Sequence, residues 1–135
     1  MALALPVKDG KITTPYKKLG KMWSKGYHTG VDFAVPVGTD IVAVADGVVS
    51  NANWGKAYGV QIVQEVVQNN KKSWVIYAHL SKSLVKIGDQ VIKGQHIGES
   101  GNTGNSSGPH LHFEMRDNIR WSAGTDLDPQ SVLKI

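Results

Sequence analysis

The chain has 135 residues, of which 41% are hydrophobic, enough for one domain with a sizeable core and too much for a disordered segment. It contains no cysteine, so disulfides, thiolate metal sites and a cysteine nucleophile are excluded. The formal charge is +4, with lysines densest at Lys17, Lys18, Lys21 and Lys25. That charge fits either a solvated surface or attraction to a polyanion such as an anionic cell wall. With no RNA-binding signature or basic helix beside it, nucleic acid is not an expected partner.

Residues 1–27 read as loop, punctuated by Thr13-Thr14-Pro15-Tyr16 and Gly20. Ala2-Leu3-Ala4-Leu5 is apolar, but Pro6 cuts it and no basic segment precedes it, so no signal peptide is expected. No stretch is long enough to span a membrane. The expectation is a chain that works where it is made, is released by lysis, or was cut from a larger protein.

Trp23 and Tyr27 lead into Tyr27-His28-Thr29-Gly30-Val31-Asp32-Phe33. Gly30 and the β-prone residues around it argue against helix. At a spacing of four, His28 and Asp32 then face one space. From residue 31 onward short β segments alternate with turns. Asp40–Ala45 ends at the hairpin dipeptide Asp46-Gly47, Val48–Ser50 follows, and residues 51–59 form a loop. Val60–Val66 and Ser73–His79 read as strands joined by a turn at Gln68–Lys71, with His79 at a strand end. Val85–Gly98 reads as a tight β meander in which His96 is structural or superficial. No helix is expected beyond a turn near Ser131–Leu133.

The loop from Gly98 to Gly108 delivers Pro109-His110-Leu111-His112-Phe113-Glu114. In a strand, His110 and His112 share a face and Leu111 and Phe113 take the other. Glu114 has the parity of the histidines and is a candidate partner for a metal ligand. Zinc in hydrolytic sites takes three His or carboxylate ligands and leaves a position for water. His28, Asp32 and one of the two histidines of His110-Leu111-His112 make such a set.

With these residues in view, the chain resembles the M23 family of zinc metallopeptidases, the lysostaphin- and LytM-like cell-wall endopeptidases, and among them the catalytic domains of phage endolysins. The likeness covers about residues 13–133 of what reads as a single 1–135 domain. It rests on HTGVDF, YAHL, the form VxxGDxVxxGQxIG, and a glycine loop running into GPHLHFE. Tyr16-Lys17-Lys18 departs from the Gly-x-Arg of many members, and His96 has no family role.

The resemblance implies a mainly β fold, an antiparallel β-sheet core of the duplicated hybrid motif type. Its groove would be walled by loops near residues 14–27, 51–59, 68–72 and 99–108. It implies zinc held by His28, Asp32 and His112, with His79 and His110 as unliganded catalytic histidines. The implied reaction is hydrolysis of peptide cross-links in bacterial peptidoglycan by a monomer. A non-enzymatic LytM-like wall-binding or activator module is the alternative, although such members generally lose zinc ligands. A biotinyl- or lipoyl-like carrier domain lacks the presented lysine hairpin it would need.

Overall fold

The computed structural model describes residues 3–8, 10–14, 30–50, 55–68, 70–104, 106, 108–117 and 126–127. The described strands are β1 (Ile12–Thr14), β2 (Val31–Phe33), β3 (Asp40–Val42), β4 (Gly47–Val49), β5 (Val60–Gln68), β6 (Lys71–Ser83), β7 (Gln90–Val91), β8 (His96–Ser100), β9 (Leu111–Arg116) and β10 (Asp126–Leu127). A single 3-10 turn, Lys56–Tyr58, is the only helical element among the described residues. Every strand pairing is antiparallel, as the sequence leads one to expect.

The path through the sheet is β1-β2-β9-β6-β5-β4-β7. One edge of β9 pairs with β6, and the other is shared by β2 and then β10. The long strand β6 forms a hairpin with β5 on one side, turned at Asn70 with φ of 62°. Asn is among the few residues that enter this left-handed region readily. On its other side β6 pairs first with β9, as far as Ala78↔His112, and from Leu80↔Ser100 with β8.

Strand parity divides the sheet chemically. Val31 and Phe33 of β2, Leu111, Phe113 and Met115 of β9, Val75 and Tyr77 of β6, and Ile62 and Val66 of β5 enter the main core. Burial of such side chains stabilises by about 1.5–3 kcal/mol each. Gln64 is the polar member of this face. Its Nε2 donates to Ala45 O at 2.7 Å and its Oε1 accepts from Tyr77 Oη at 2.6 Å. Tyr77 in turn accepts from Val44 N at 3.0 Å, so the buried polar groups are satisfied. The opposite parity sends Asp32, His112, Glu114 and Arg116 to the other face. There a smaller apolar group, Val63, Ile76 and Ala78 with Tyr58 and Trp74, backs them.

Several local expectations are corrected. Residues 12–14 pair with β2 rather than forming loop. Asp46-Gly47 does not turn a hairpin: β3 pairs with β8, while β4 pairs with β5 and β7. Asp46 Oδ1 instead accepts from Lys93 N at 2.8 Å, and a methyl on Gly47 would lie 2.1 Å from Glu65 O. The stretch 85–98 is not a meander, because β7 and β8 have different partners. Its turns are nonetheless real, with Gly88 and Gly94 at φ of 90° and 88°. Nor does His79 end a strand, since β6 runs on to Ser83. The Lys17–Lys25 cluster, Trp23, Tyr27, His28 and Ser131–Leu133 lie outside the described residues.

Candidate active site

Asp32 and His112 are register partners across β2 and β9, and His112 is in turn opposite Ala78 on β6. The two side chains emerge on the same face, where His112 Nδ1 lies 2.9 Å from Asp32 Oδ1. The close approach of the two strands depends on Gly30. A methyl there would sit 2.3 Å from Phe113 O and 3.0 Å from the His112 ring. His110 precedes β9 in an isolated bridge with Gly101, and its Nε2 lies 3.7 Å from the same Asp32 oxygen.

His79 joins the group through an irregularity. It adopts φ of 61°, in the left-handed region, where β6 leaves β9 for β8 and its register with β5 shifts. A non-glycine residue held there carries strain that its surroundings must sustain. Among those surroundings is Thr103. Its carbonyl accepts from His79 Nδ1 at 2.7 Å, its hydroxyl donates to Leu80 O at 2.6 Å, and the same hydroxyl accepts from Val60 N at 3.1 Å. Gly59 and Gly104 bring the neighbouring loops together, since a methyl on Gly104 would sit 2.4 Å from Gly59 N. The His79 ring centroid is then 4.8 Å from that of His110 and 6.0 Å from that of His112.

The hydrogen-bond partners determine which nitrogen of each ring is available. A carbonyl only accepts, so His79 carries its proton on Nδ1 and presents a lone pair on Nε2. His110 Nδ1 likewise donates to Gly108 O at 2.7 Å, with Ser106 Oγ at 3.2 Å, and its Nε2 faces Asp32. In His112 the order is reversed. Nε2 faces Glu114 Oε1 at 2.8 Å and Nδ1 faces Asp32. Glu114 also accepts from Tyr58 Oη at Oε1, and from Arg116 Nε at Oε2 at 2.9 Å.

Electrostatics follow the geometry. Burial lowers the His79 pKa to about 4, offset in part by Thr103 O and deepened by the neighbouring histidines. His112 moves the other way. Burial opposes its charge, but Asp32 and Glu114 outweigh burial and raise its pKa to about 9. With Nε2–H committed to Glu114, an Nδ1 lone pair and a carboxylate oxygen confront one another. That arrangement calls for a cation between them, a proton or a metal. The donor set, imidazole and carboxylate, suits zinc among the divalent metals.

Four of the five site residues expected from the sequence, Asp32, His79, His110 and His112, are thus brought together. His28 lies outside the described residues. Nothing in residue spacing singles out Tyr58, which reaches the site from the 3-10 turn, or Thr103, which reaches it from a loop. Glu114 and Arg116 continue the parity of His112, and that alternation is the readable sign of their placement. His96 belongs elsewhere, on β8, with its Nε2 3.3 Å from Asp40 Oδ1 across the β3–β8 pair. Glu99 completes an exposed to half-buried donor group with them.

An antiparallel β-sheet that brings three histidines and an aspartate together has the residue types a hydrolytic metal centre requires. Residues 26–129 match the model of peptidase family M23, and the chain belongs to that family. It is 45% identical over 109 residues to the glycyl-glycine endopeptidase ALE-1 of Staphylococcus capitis, a match covering 81% of this chain and 30% of that protein. It is 46% identical over 88 residues to the peptidoglycan DD-endopeptidase ShyA of Vibrio cholerae, covering 65% of this chain and 20% of that one. The chain therefore spans less than a third of the length of these curated relatives. The catalytic domain of the antimicrobial peptidase lysostaphin from Staphylococcus simulans superposes with a TM-score of 0.82 at 37% identity, covering 95% of both chains.

Proposed function

We propose that this chain is a zinc-dependent endopeptidase that hydrolyses peptide cross-links of bacterial peptidoglycan. The observation that carries the proposal is the gathering of His79 beside His110 and His112, which both face Asp32, with each ring anchored by a fixed acceptor. His28, Asp32 and His112 are assigned as the metal ligands. His79 and His110 are assigned as the catalytic pair. Zinc held by those ligands would polarise the scissile carbonyl and activate water for attack.

The histidines divide the proton work. His79 is buried, neutral and open at Nε2, so it takes the proton of the attacking water and returns it to the leaving amine. His110 is anchored through Nδ1–H to Gly108 O, which leaves its Nε2 as an acceptor on the side of Asp32. It is placed to accept from the attacking water and orient it. Val63, Ile76 and Ala78 form a buried apolar group, in which Ala78 is the register partner of His112.

The family relatives act on different bonds, and the test must cover both. Purified walls with glycine bridges and walls with direct cross-links are digested, and the released muropeptides are identified by mass spectrometry. New amino termini at a cross-link in one chemotype, abolished by chelation and restored by zinc, are expected. Undiminished hydrolysis after complete chelation, or no cleavage of either wall, overturns the proposal. The endolysin and antimicrobial reading predicts lysis of intact cells by added protein, followed as loss of turbidity.

A further inference from the structure

Glu114 is a fully buried carboxylate with an assigned neighbour on each side. Its Oε1 faces His112 Nε2 at 2.8 Å and accepts from Tyr58 Oη, and its Oε2 accepts from Arg116 Nε at 2.9 Å. Arg116 is equally buried. The Tyr58 ring also packs edge-on to His112, with ring centroids 5.8 Å apart. Glu114 and Arg116 share, by strand parity, the face on which Asp32 and His112 meet. A buried arginine and carboxylate add little net stability by comparison with apolar residues of the same volume. A role in folding alone therefore does not account for them.

We infer that Glu114 is a positioning residue that sets metal affinity at this site, by holding His112 in the tautomer with Nε2–H and its Nδ1 lone pair turned toward Asp32. The inference rests on the reading of His112 as a ligand. The logic is one of donors and acceptors. A carboxylate is an acceptor at both oxygens, so it satisfies Tyr58, His112 and Arg116 at once. An amide in its place has one acceptor end and one donor end. With the amide oxygen toward His112, its NH2 confronts Arg116 Nε–H. With the oxygen toward Arg116, its NH2 confronts His112 Nε2. The second orientation favours a proton on Nδ1, where the ring can no longer ligate. Arg116 thus dictates which way an amide would turn, and the charge on Glu114 removes the conflict.

The test uses the Glu114→Gln, His112→Ala and Glu114→Gln/Arg116→Met variants. Zinc dissociation constants are measured by competition with a chromogenic chelator, beside hydrolysis rates at saturating zinc. The His112 tautomer in each zinc-free protein is read from ring 15N chemical shifts at about pH 10, above the raised pKa of about 9, where the ring is neutral. Glu114→Gln is expected to bind zinc about 10–100-fold more weakly. Its His112 signals should shift toward the Nδ1–H form while its circular dichroism stays unchanged. The double variant, in which the competing donor is gone and the amide oxygen can accept from His112, should regain most of the lost affinity.

Should Glu114→Gln bind zinc as tightly as the parent while His112→Ala loses it, the inference fails and the ligand reading stands. Should His112→Ala retain zinc, it is the ligand reading that fails. Weakened binding in Glu114→Gln without a tautomer shift, and without rescue in the double variant, also overturns the inference, because a general loosening of the fold would look like that.

Discussion

Asp32 Oδ1 lies 2.9 Å from His112 Nδ1 and 3.7 Å from His110 Nε2, so one carboxylate addresses both histidines of the His-Leu-His motif. The two rings differ in what stands behind them. His112 is backed by a buried carboxylate, and His110 by a backbone carbonyl. A ligand and a proton-transfer group are distinguished in this way even though strand parity gives them the same face.

The two substitutions should therefore separate metal from rate. His112→Ala is expected to lose zinc and activity together. His110→Ala is expected to keep near-stoichiometric zinc and to lose about 10²–10⁴-fold in rate, the ordinary range for removing a general acid or base. Metal content by mass spectrometry and wall hydrolysis, measured on the same preparations, check both. Zinc retained by His112→Ala and released by His110→Ala would reverse the assignment.

Gly30 tests the strand contact on which this geometry rests. A methyl there meets Phe113 O at 2.3 Å and Glu114 Cγ at 2.7 Å, so β2 and β9 must part or tilt. Gly30→Ala should cost about 1–3 kcal/mol, as overpacking typically does. Because the displaced strands carry Asp32 and His112, activity per folded molecule should fall as well. Denaturant unfolding together with rates corrected for folded fraction would show it, and unchanged values of both would contradict the contact.

Tyr77→Phe is the corresponding probe of the other face. It deletes the hydroxyl that donates to Gln64 and accepts from Val44 N, leaving two buried groups without that partner. The expected loss is about 1–3 kcal/mol of stability. Activity per folded molecule should stay near that of the parent, since Tyr77 points away from the histidines. A large fall in activity below the melting transition would show that the faces are coupled.

These contrasts also explain what the sequence makes legible. Parity along residues 110–116 is readable because β9 buries one apolar face, and a period of two then fixes where His112 and Glu114 point. The pairing of Asp32 with His112 is a contact between residues 80 apart, and local pattern carries no register at that distance. His79 looks like a strand end because His and Leu80 stand where the β-prone run meets polar residues. In the fold the strand continues through a left-handed kink sustained by partners such as Thr103, which belongs to another loop. Val85–Gly98 reads as a meander because its turns are local and real, whereas its strands take partners elsewhere in the chain.

The pH dependence of His79 offers the last test, and stability and rate must be treated separately. Burial lowers its pKa from 6.5 to about 4 in the folded chain. Between those values the unfolded chain binds a proton that the folded chain does not. His79 thus contributes full stability above about pH 6.5 and loses it as the pH falls toward 4, by at most about 1.4 kcal/mol per pH unit. His79→Gln should flatten the fall in melting temperature across that window. The same low pKa keeps the base unprotonated in mildly acidic solution, so at saturating zinc the rate should hold down to about pH 5. A decline near pH 6 would then report protonation of metal ligands, and raising the zinc concentration should move it to lower pH. Rate profiles at two zinc concentrations decide the matter. A limb fixed near pH 6.5 at both would show that His79 is not the base.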